Sequence, residues 1–166
     1  EDVIDLRPDV LSVFVGTNDA ERHLGRLLRA DDPKTVPDFD FADWERTYRG
    51  LLDQARQANP ALKIVLCTPF AAPCGKIVEG ALGEYYPLRQ RILAQCCVIV
   101  ERIAADYGAT LVPFHRLIAD LETRLPNGDA TYWVWDDIHP TPAGQRLMAD
   151  CWIGACLLYT SPSPRD

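Results

Sequence analysis

Serine is almost absent from this chain: Ser12 is the only one before Ser161, and it lies in an apolar run rather than a turn. No G-x-S-x-G elbow occurs, which excludes the hydrolase design in which a strained strand-to-helix turn exposes a serine. G-x-x-x-x-G-K and G-x-G-x-x-G are missing too, so phosphate-cradling nucleotide sites have no support. Basic charge is in deficit, with 17 Lys and Arg against 24 Asp and Glu and a net charge of -7. Nucleic acid and anionic membrane surfaces are therefore disfavoured as partners, and no apolar run approaches the roughly 20 residues of a membrane span. The six cysteines form no C-x-x-C pair and no zinc spacing with a nearby histidine. Buried thiols are expected instead of a disulfide frame, which leans towards a reducing compartment. Glu1-Asp2-Val3-Ile4-Asp5 has no initiator Met and no signal-peptide pattern and reads as internal to a longer chain. The compartment and oligomeric state thus stay open.

What is present suits one domain: 166 residues, 48% hydrophobic and 25% charged, enough to bury a core. Three near-continuous apolar runs, Val10–Val15, Lys63–Cys67 and Ala109–Phe114, read as strands covered on both faces. Asp40–Gln57 and Leu88–Asp106 carry apolar residues at the helical period; Asn59-Pro60 stops the first and Gly108 the second. Phe114–Leu125 is expected as a shorter helix. In Thr141–Ala155, Thr141 is placed as N-cap and Pro142 at the first helical position. Such alternation predicts an α/β domain with a parallel sheet, its function in loops at the carboxyl ends of strands. Residues 1–155 are assigned to this domain. Residues 156–166 break the amphipathic pattern, resemble a translated sequencing adapter, and are expected to be disordered.

Two short constellations fall at such positions. Gly16-Thr17-Asn18-Asp19 follows a predicted strand: the glycine permits a tight turn, and Asn18 offers a neutral amide donor suited to an oxyanion. A plain turn is the alternative, since Gly, Asn and Asp are turn residues. In Asp136-Asp137-Ile138-His139-Pro140-Thr141, a carboxylate placed three residues before an imidazole can hold its Nδ1–H and leave Nε2 as a base. A helix-entry loop with acidic residues near the helix N-terminus is the alternative.

Taken together, Val15-Gly16-Thr17-Asn18-Asp19 and Trp135-Asp136-Asp137-Ile138-His139-Pro140-Thr141 with Ala143-Gly144 resemble the third and fifth sequence blocks of the SGNH (GDSL-like) serine esterases. The likeness extends over nearly all of residues 1–155. It implies a three-layer α/β/α sandwich of flavodoxin-like type with its first strand missing. It implies His139 as general base and then acid, Asp136 as its support, Asn18 as oxyanion donor and Asp19 as a brace for the turn. It also implies carboxylic-ester hydrolysis with no metal or organic cofactor, on a short-acyl ester such as an acetylated carbohydrate. The family's G-D-S block, with the nucleophile, and its oxyanion glycine block are not found here. The chain alone is accordingly expected to be inactive, and poorly soluble or molten for want of the strand beside Val10–Val15. A non-catalytic α/β binding module that lacks the nucleophile naturally is the alternative.

Other residues invite lesser roles. Cys67 and Cys74 flank a strand-end loop, and a cysteine nucleophile would need exposure and a lowered pKa. His23 and His115 are expected to be structural. Asp38, Asp40, Asp43 and Glu45 form an acidic helix entry without calcium-loop spacing. Tyr132-Trp133-Val134-Trp135, read as strand-like, would put Trp133 and Trp135 on one face and Tyr132 on the other. Those rings and Trp44 either pack the last loop onto the core or offer a platform for a sugar.

Overall fold

The computed structural model describes residues 2–74, 83–124 and 130–160. Strands β1 (Val10–Phe14), β2 (Lys63–Cys67) and β3 (Thr110–Val112) form one parallel sheet in the order β1-β2-β3. Between and after them run α1 (Asp2–Asp5), α2 (Thr17–Arg29), α3 (Phe41–Ala58), α4 (Tyr86–Tyr107), α5 (Phe114–Arg124) and α6 (Pro142–Thr160).

Alternation along β2 builds the three layers, because successive side chains point to opposite faces of a sheet. Ile64 and Leu66 pack with Tyr48 and Leu52 of α3 and Ile99 and Ile103 of α4. Val65 and Cys67 turn to the other face, against Ile118 of α5 and Met148 of α6. Each such aliphatic side chain, taken fully out of water, contributes about 1.5–3 kcal/mol, so these two layers are the main source of stability. The helix ends follow their local chemistry. The Asp40 carboxylate caps α3 by accepting the Asp43 N–H at 2.8 Å, and Gly108 ends α4 at φ 58°, a conformation open to glycine at no steric cost.

Three expectations change. The strand at Val10 is not covered on both faces: Val10, Ser12 and Phe14 are exposed, because β1 is the edge of the described sheet and pairs with β2 alone. Gly16-Thr17-Asn18-Asp19 is not a free-standing turn but the cap and first turn of α2, whose buried Ala20, His23, Leu24 and Leu27 recur at helical spacing. At the other end, α6 runs on to Thr160, five residues into the stretch expected to be disordered. Cys156 packs beside the cluster formed by β2, α5 and α6. Leu125, the last residue of the predicted third helix, and residues 161–166 lie outside the described residues. All six cysteines are free, and four of them are buried.

Candidate active site

The first half of the site is built by local geometry. β1 ends at Phe14 and α2 begins at Thr17, so the chain must reverse at Gly16, where φ is 119°. A Cβ there would stand 2.9 Å from Pro69 Cγ and 3.3 Å from Trp44 Cζ2, so glycine is required on both counts. The Thr17 hydroxyl donates to the Phe70 carbonyl at 3.1 Å, and the Trp44 indole N–H donates to Asp19 at 3.2 Å. Asn18 therefore sits between two anchored neighbours, in the first turn of a helix whose N-terminus carries partial positive charge.

The second half is a short hairpin. Val134 and Pro140 pair as an antiparallel bridge, the Trp135 N–H donates to the His139 carbonyl at 2.8 Å, and the Thr141 N–H donates to Trp133 at 2.9 Å. Thr141 then caps α6, its hydroxyl accepting the Gly144 N–H at 3.2 Å and donating to the Tyr132 carbonyl at 2.8 Å. A Cβ on Gly144 would collide with the Trp133 carbonyl oxygen; the helix can approach the hairpin this closely only because that residue is glycine.

At the hairpin tip the Asp136 carboxylate accepts from His139 Nδ1 at 2.8 and 3.0 Å, from the His139 backbone N–H at 3.0 Å and from the Ile138 N–H at 3.4 Å. Partial burial alone would raise the Asp136 carboxyl. The hydrogen bonds from the His139 ring and from the two backbone amides outweigh it and hold the group below the usual carboxylate range. With its Nδ1–H donated to the carboxylate, the ring leaves Nε2 as the nitrogen open to accept a proton. Asp137, next in sequence, turns the other way. It is 1% exposed, has φ 79°, and pairs with the equally buried Arg89 of α4. Burial pushes its carboxyl up to about 6, against the pull of Arg89.

The two halves meet. Asn18, Gly16, His139 and Pro140 line one cleft of about 360 Å³, together with Phe14 and Val15. Asp19 and Arg22 are shared between it and a neighbouring groove of about 700 Å³ that reaches Trp44. Thus His139 and Asn18, singled out from sequence, line a single opening, and Asp136 is joined to it through the His139 ring. Among the described residues no three His, Cys, Asp or Glu side chains converge where a metal could sit.

The remaining candidates go elsewhere. Ser12 projects from β1, its hydroxyl accepting the Trp152 indole N–H at 3.1 Å and standing 3.8 Å from the Cys67 sulfur. Cys67 is buried, and burial pushes its thiol up to about 11. Cys74, 1% exposed, directs its sulfur to the Trp135 carbonyl. His23 is buried edge-on to Phe39, with burial and then Arg26 lowering its pKa. His115 is held by the Thr68 hydroxyl at 2.8 Å. The segment at Tyr132 is a turn leading into the hairpin, not a strand. Val134 is fully buried while Tyr132 and Trp135 are 68% and 59% exposed, so the expected sharing of a face by Trp133 and Trp135 does not occur. Trp44 packs on Tyr48 while holding Asp19. The residue that the sequence reading missed is Arg89: one of three arginines in its helix, it gives no signal that it, rather than Arg91 or Arg102, will be buried between carboxylates.

Comparison with known proteins agrees with this architecture. Residues 1–147 match the GDSL-like Lipase/Acylhydrolase family. The chain is 30% identical over 156 residues to an acetylxylan esterase of Geobacillus stearothermophilus, covering 92% of this chain and 61% of that protein. It is 27% identical over 157 residues to an acetylxylan esterase of Xylanibacter ruminicola, covering 90% of this chain and 29% of that one. The chain thus spans less than two thirds of the length of either relative. Among solved structures, a GDSL-like lipase from Parabacteroides merdae superposes with a TM-score of 0.75 at 27% identity, covering 95% of this chain and 64% of the other.

Proposed function

The chain belongs to the GDSL-like lipase/acylhydrolase family, and from that premise we propose that it supplies the acid–base and oxyanion half of a carboxylic-ester hydrolase. The substrate we propose is a short-acyl ester of a carbohydrate, with acetyl on a xylan-type saccharide as the first choice. The observation that carries the reading is the shared cleft: an imidazole oriented by a carboxylate faces the same opening as an amide donor at a helix N-terminus.

In this reading His139 Nε2 takes the proton of a serine hydroxyl as the serine oxygen bonds to the acyl carbon. The carbonyl oxygen becomes an oxyanion and accepts from the Asn18 amide. Collapse breaks the bond to the sugar oxygen, and His139 returns its proton to the leaving alcohol. Water repeats the cycle and frees the acid. Asp136 stabilises the imidazolium without taking the proton. The acetylxylan esterase activity of the two relatives supports the choice of acetyl, and exposed Trp135 and Tyr132 beside the hairpin supply flat apolar faces of the kind that stack on sugars.

We place the nucleophile outside residues 1–155. The chain alone would then be inactive, and activity would belong to a form that also carries an upstream serine block. The test is acetate release from acetylated xylooligosaccharides by that serine-bearing form, beside p-nitrophenyl acetate and a long-chain p-nitrophenyl ester. Acetate release, with the long-chain ester turned over at least about tenfold more slowly, agrees with the proposal; a preference for the long chain contradicts it. The second reading, a binding module without a nucleophile, is favoured by one observation, that Ser12 is committed to Trp152. An open reading frame that starts naturally without a serine block would support that reading.

A further inference from the structure

Arg89 touches both sides of the cleft's framework. The residue is 1% exposed, with its guanidinium over the ring of Tyr86. One arm, Nη1, donates to Glu21 of α2 at 2.8 Å, and the other, Nη2, pairs with Asp137 of the hairpin. Glu21 lies one helical turn beyond Asn18 on the same helix, and Asp137 lies two residues before His139. The two carboxylates held by this one side chain therefore belong to the two segments that face each other across the cleft.

The hairpin tip has reason to need holding. Asp137 has φ 79°, a left-handed conformation that costs a non-glycine residue energy and persists only when surroundings enforce it. The enforcement is visible: the Asp137 carbonyl accepts the Ala72 N–H at 2.8 Å, its carboxylate meets Arg89, and Ile138 packs against Ala20, Ile92 and Leu93. This backbone setting aims Asp136 and His139 outwards while Asp137 points inwards. Arginine suits the task because its planar fork can address two carboxylates in fixed directions, which a lysine ammonium cannot.

Resting on the hydrolase reading above, we propose that Arg89 is a positioning residue that sets the spacing between Asn18 and His139 through Glu21 and Asp137. It does not touch substrate. Its effect is on the geometry in which oxyanion donor and base meet one transition state, where a displacement of about 1 Å can cost about a hundredfold in rate.

The test uses Arg89→Lys and Glu21→Gln, read in two ways. The first readout is kinetic, in the serine-bearing form, with kcat expressed per active site titrated by an organophosphate so that unfolded protein is not counted. Arg89→Lys should lower kcat about 10–100-fold and Glu21→Gln about 3–10-fold, with KM within about threefold of wild type in both. The second readout needs no ester: nuclear magnetic resonance of the His139 Nδ1–H and of the Asn18 side-chain amide. Arg89→Lys should weaken or abolish the Asp136-held Nδ1–H signal, while Glu21→Gln should shift the Asn18 amide and leave the His139 signal in place. Glu21 is partly exposed and its replacement cuts only one link, so this variant keeps the test decisive even where Arg89→Lys fails to fold. Variants that lose thermal stability but keep wild-type kcat per titrated site and both signals overturn the positioning role. A wild-type serine-bearing form with no ester turnover overturns the hydrolase reading instead, and the resonance readout then still decides whether Arg89 positions the two groups.

Discussion

The two sides of the cleft are built in opposite ways. On the Asn18 side, the backbone that presents the side chain is made locally, by a strand end, a glycine at φ 119° and the first turn of a helix, and distant Phe70, Trp44 and Arg89 hold only its neighbours. On the His139 side, the residues are also consecutive, but their conformation depends on distant groups. Asp137 needs Arg89 and Ala72, and the hairpin needs the close approach of Gly144. The first side should therefore tolerate loss of its functional group with little change in stability. The second should separate into an exposed tip, cheap to alter structurally, and a buried support that is expensive to alter.

The largest expected effect tests the exposed tip. His139→Ala in the serine-bearing form should lower kcat for p-nitrophenyl acetate by about 10⁴-fold or more. Because the side chain is 67% exposed, the urea midpoint should hardly move. A large stability loss would mean that tip and support are not separable. Next comes the support: Asp137→Ala leaves Arg89 buried beside an empty place and should cost about 3–5 kcal/mol by urea denaturation. Asn18→Ala should lower kcat about 10²–10³-fold, or about 2.7–4 kcal/mol of transition-state stabilisation, with its stability close to wild type. Thr141→Ala removes the cap of α6 and the bond to Tyr132 and should cost about 1–2 kcal/mol, on the His139 side only.

Acid titration distinguishes neighbours within the hairpin. Asp136 is depressed in the folded state, so its contribution is present above the ordinary carboxylate range and is lost as pH falls through its folded pKa. Asp137 is raised to about 6, so its contribution is full below its ordinary value of 3.8 and is lost as pH rises through about 6. The stability of wild type relative to Asp137→Asn should accordingly be greater at pH 4 than at pH 7. The pH-dependent part of the difference between wild type and Asp136→Asn should run the other way. Denaturation curves at the two pH values decide both signs.

The same contrast explains what could be read from sequence. Apolar runs and their stops located β2 and α3 closely, since burial on both faces of β2 and the Asp40 cap are local facts. Asp136, His139 and Asn18 were legible as residue types at telling spacing, and the meeting of Asn18 and His139 at one cleft is what the α/β topology provides. The first turn of α2 was hidden because Gly, Thr, Asn and Asp also make turns; the signal that could have found it was Ala20, His23, Leu24 and Leu27. That β1 is an edge could not be read from its composition, because strand order is decided by pairing. Arg89 was silent for a similar reason, its partners being chosen by tertiary packing.

Most directly testable is the claim that Asn18 and His139 act on one transition state. A double-mutant cycle on kcat for p-nitrophenyl acetate, with Asn18→Ala, His139→Ala and both together in the serine-bearing form, measures it. The expected result is a departure from additivity, Asn18→Ala costing less in the His139→Ala background than its cost of about 10²–10³-fold in the wild type. Independent, multiplying losses, or unchanged turnover on removing either group, would contradict a shared site.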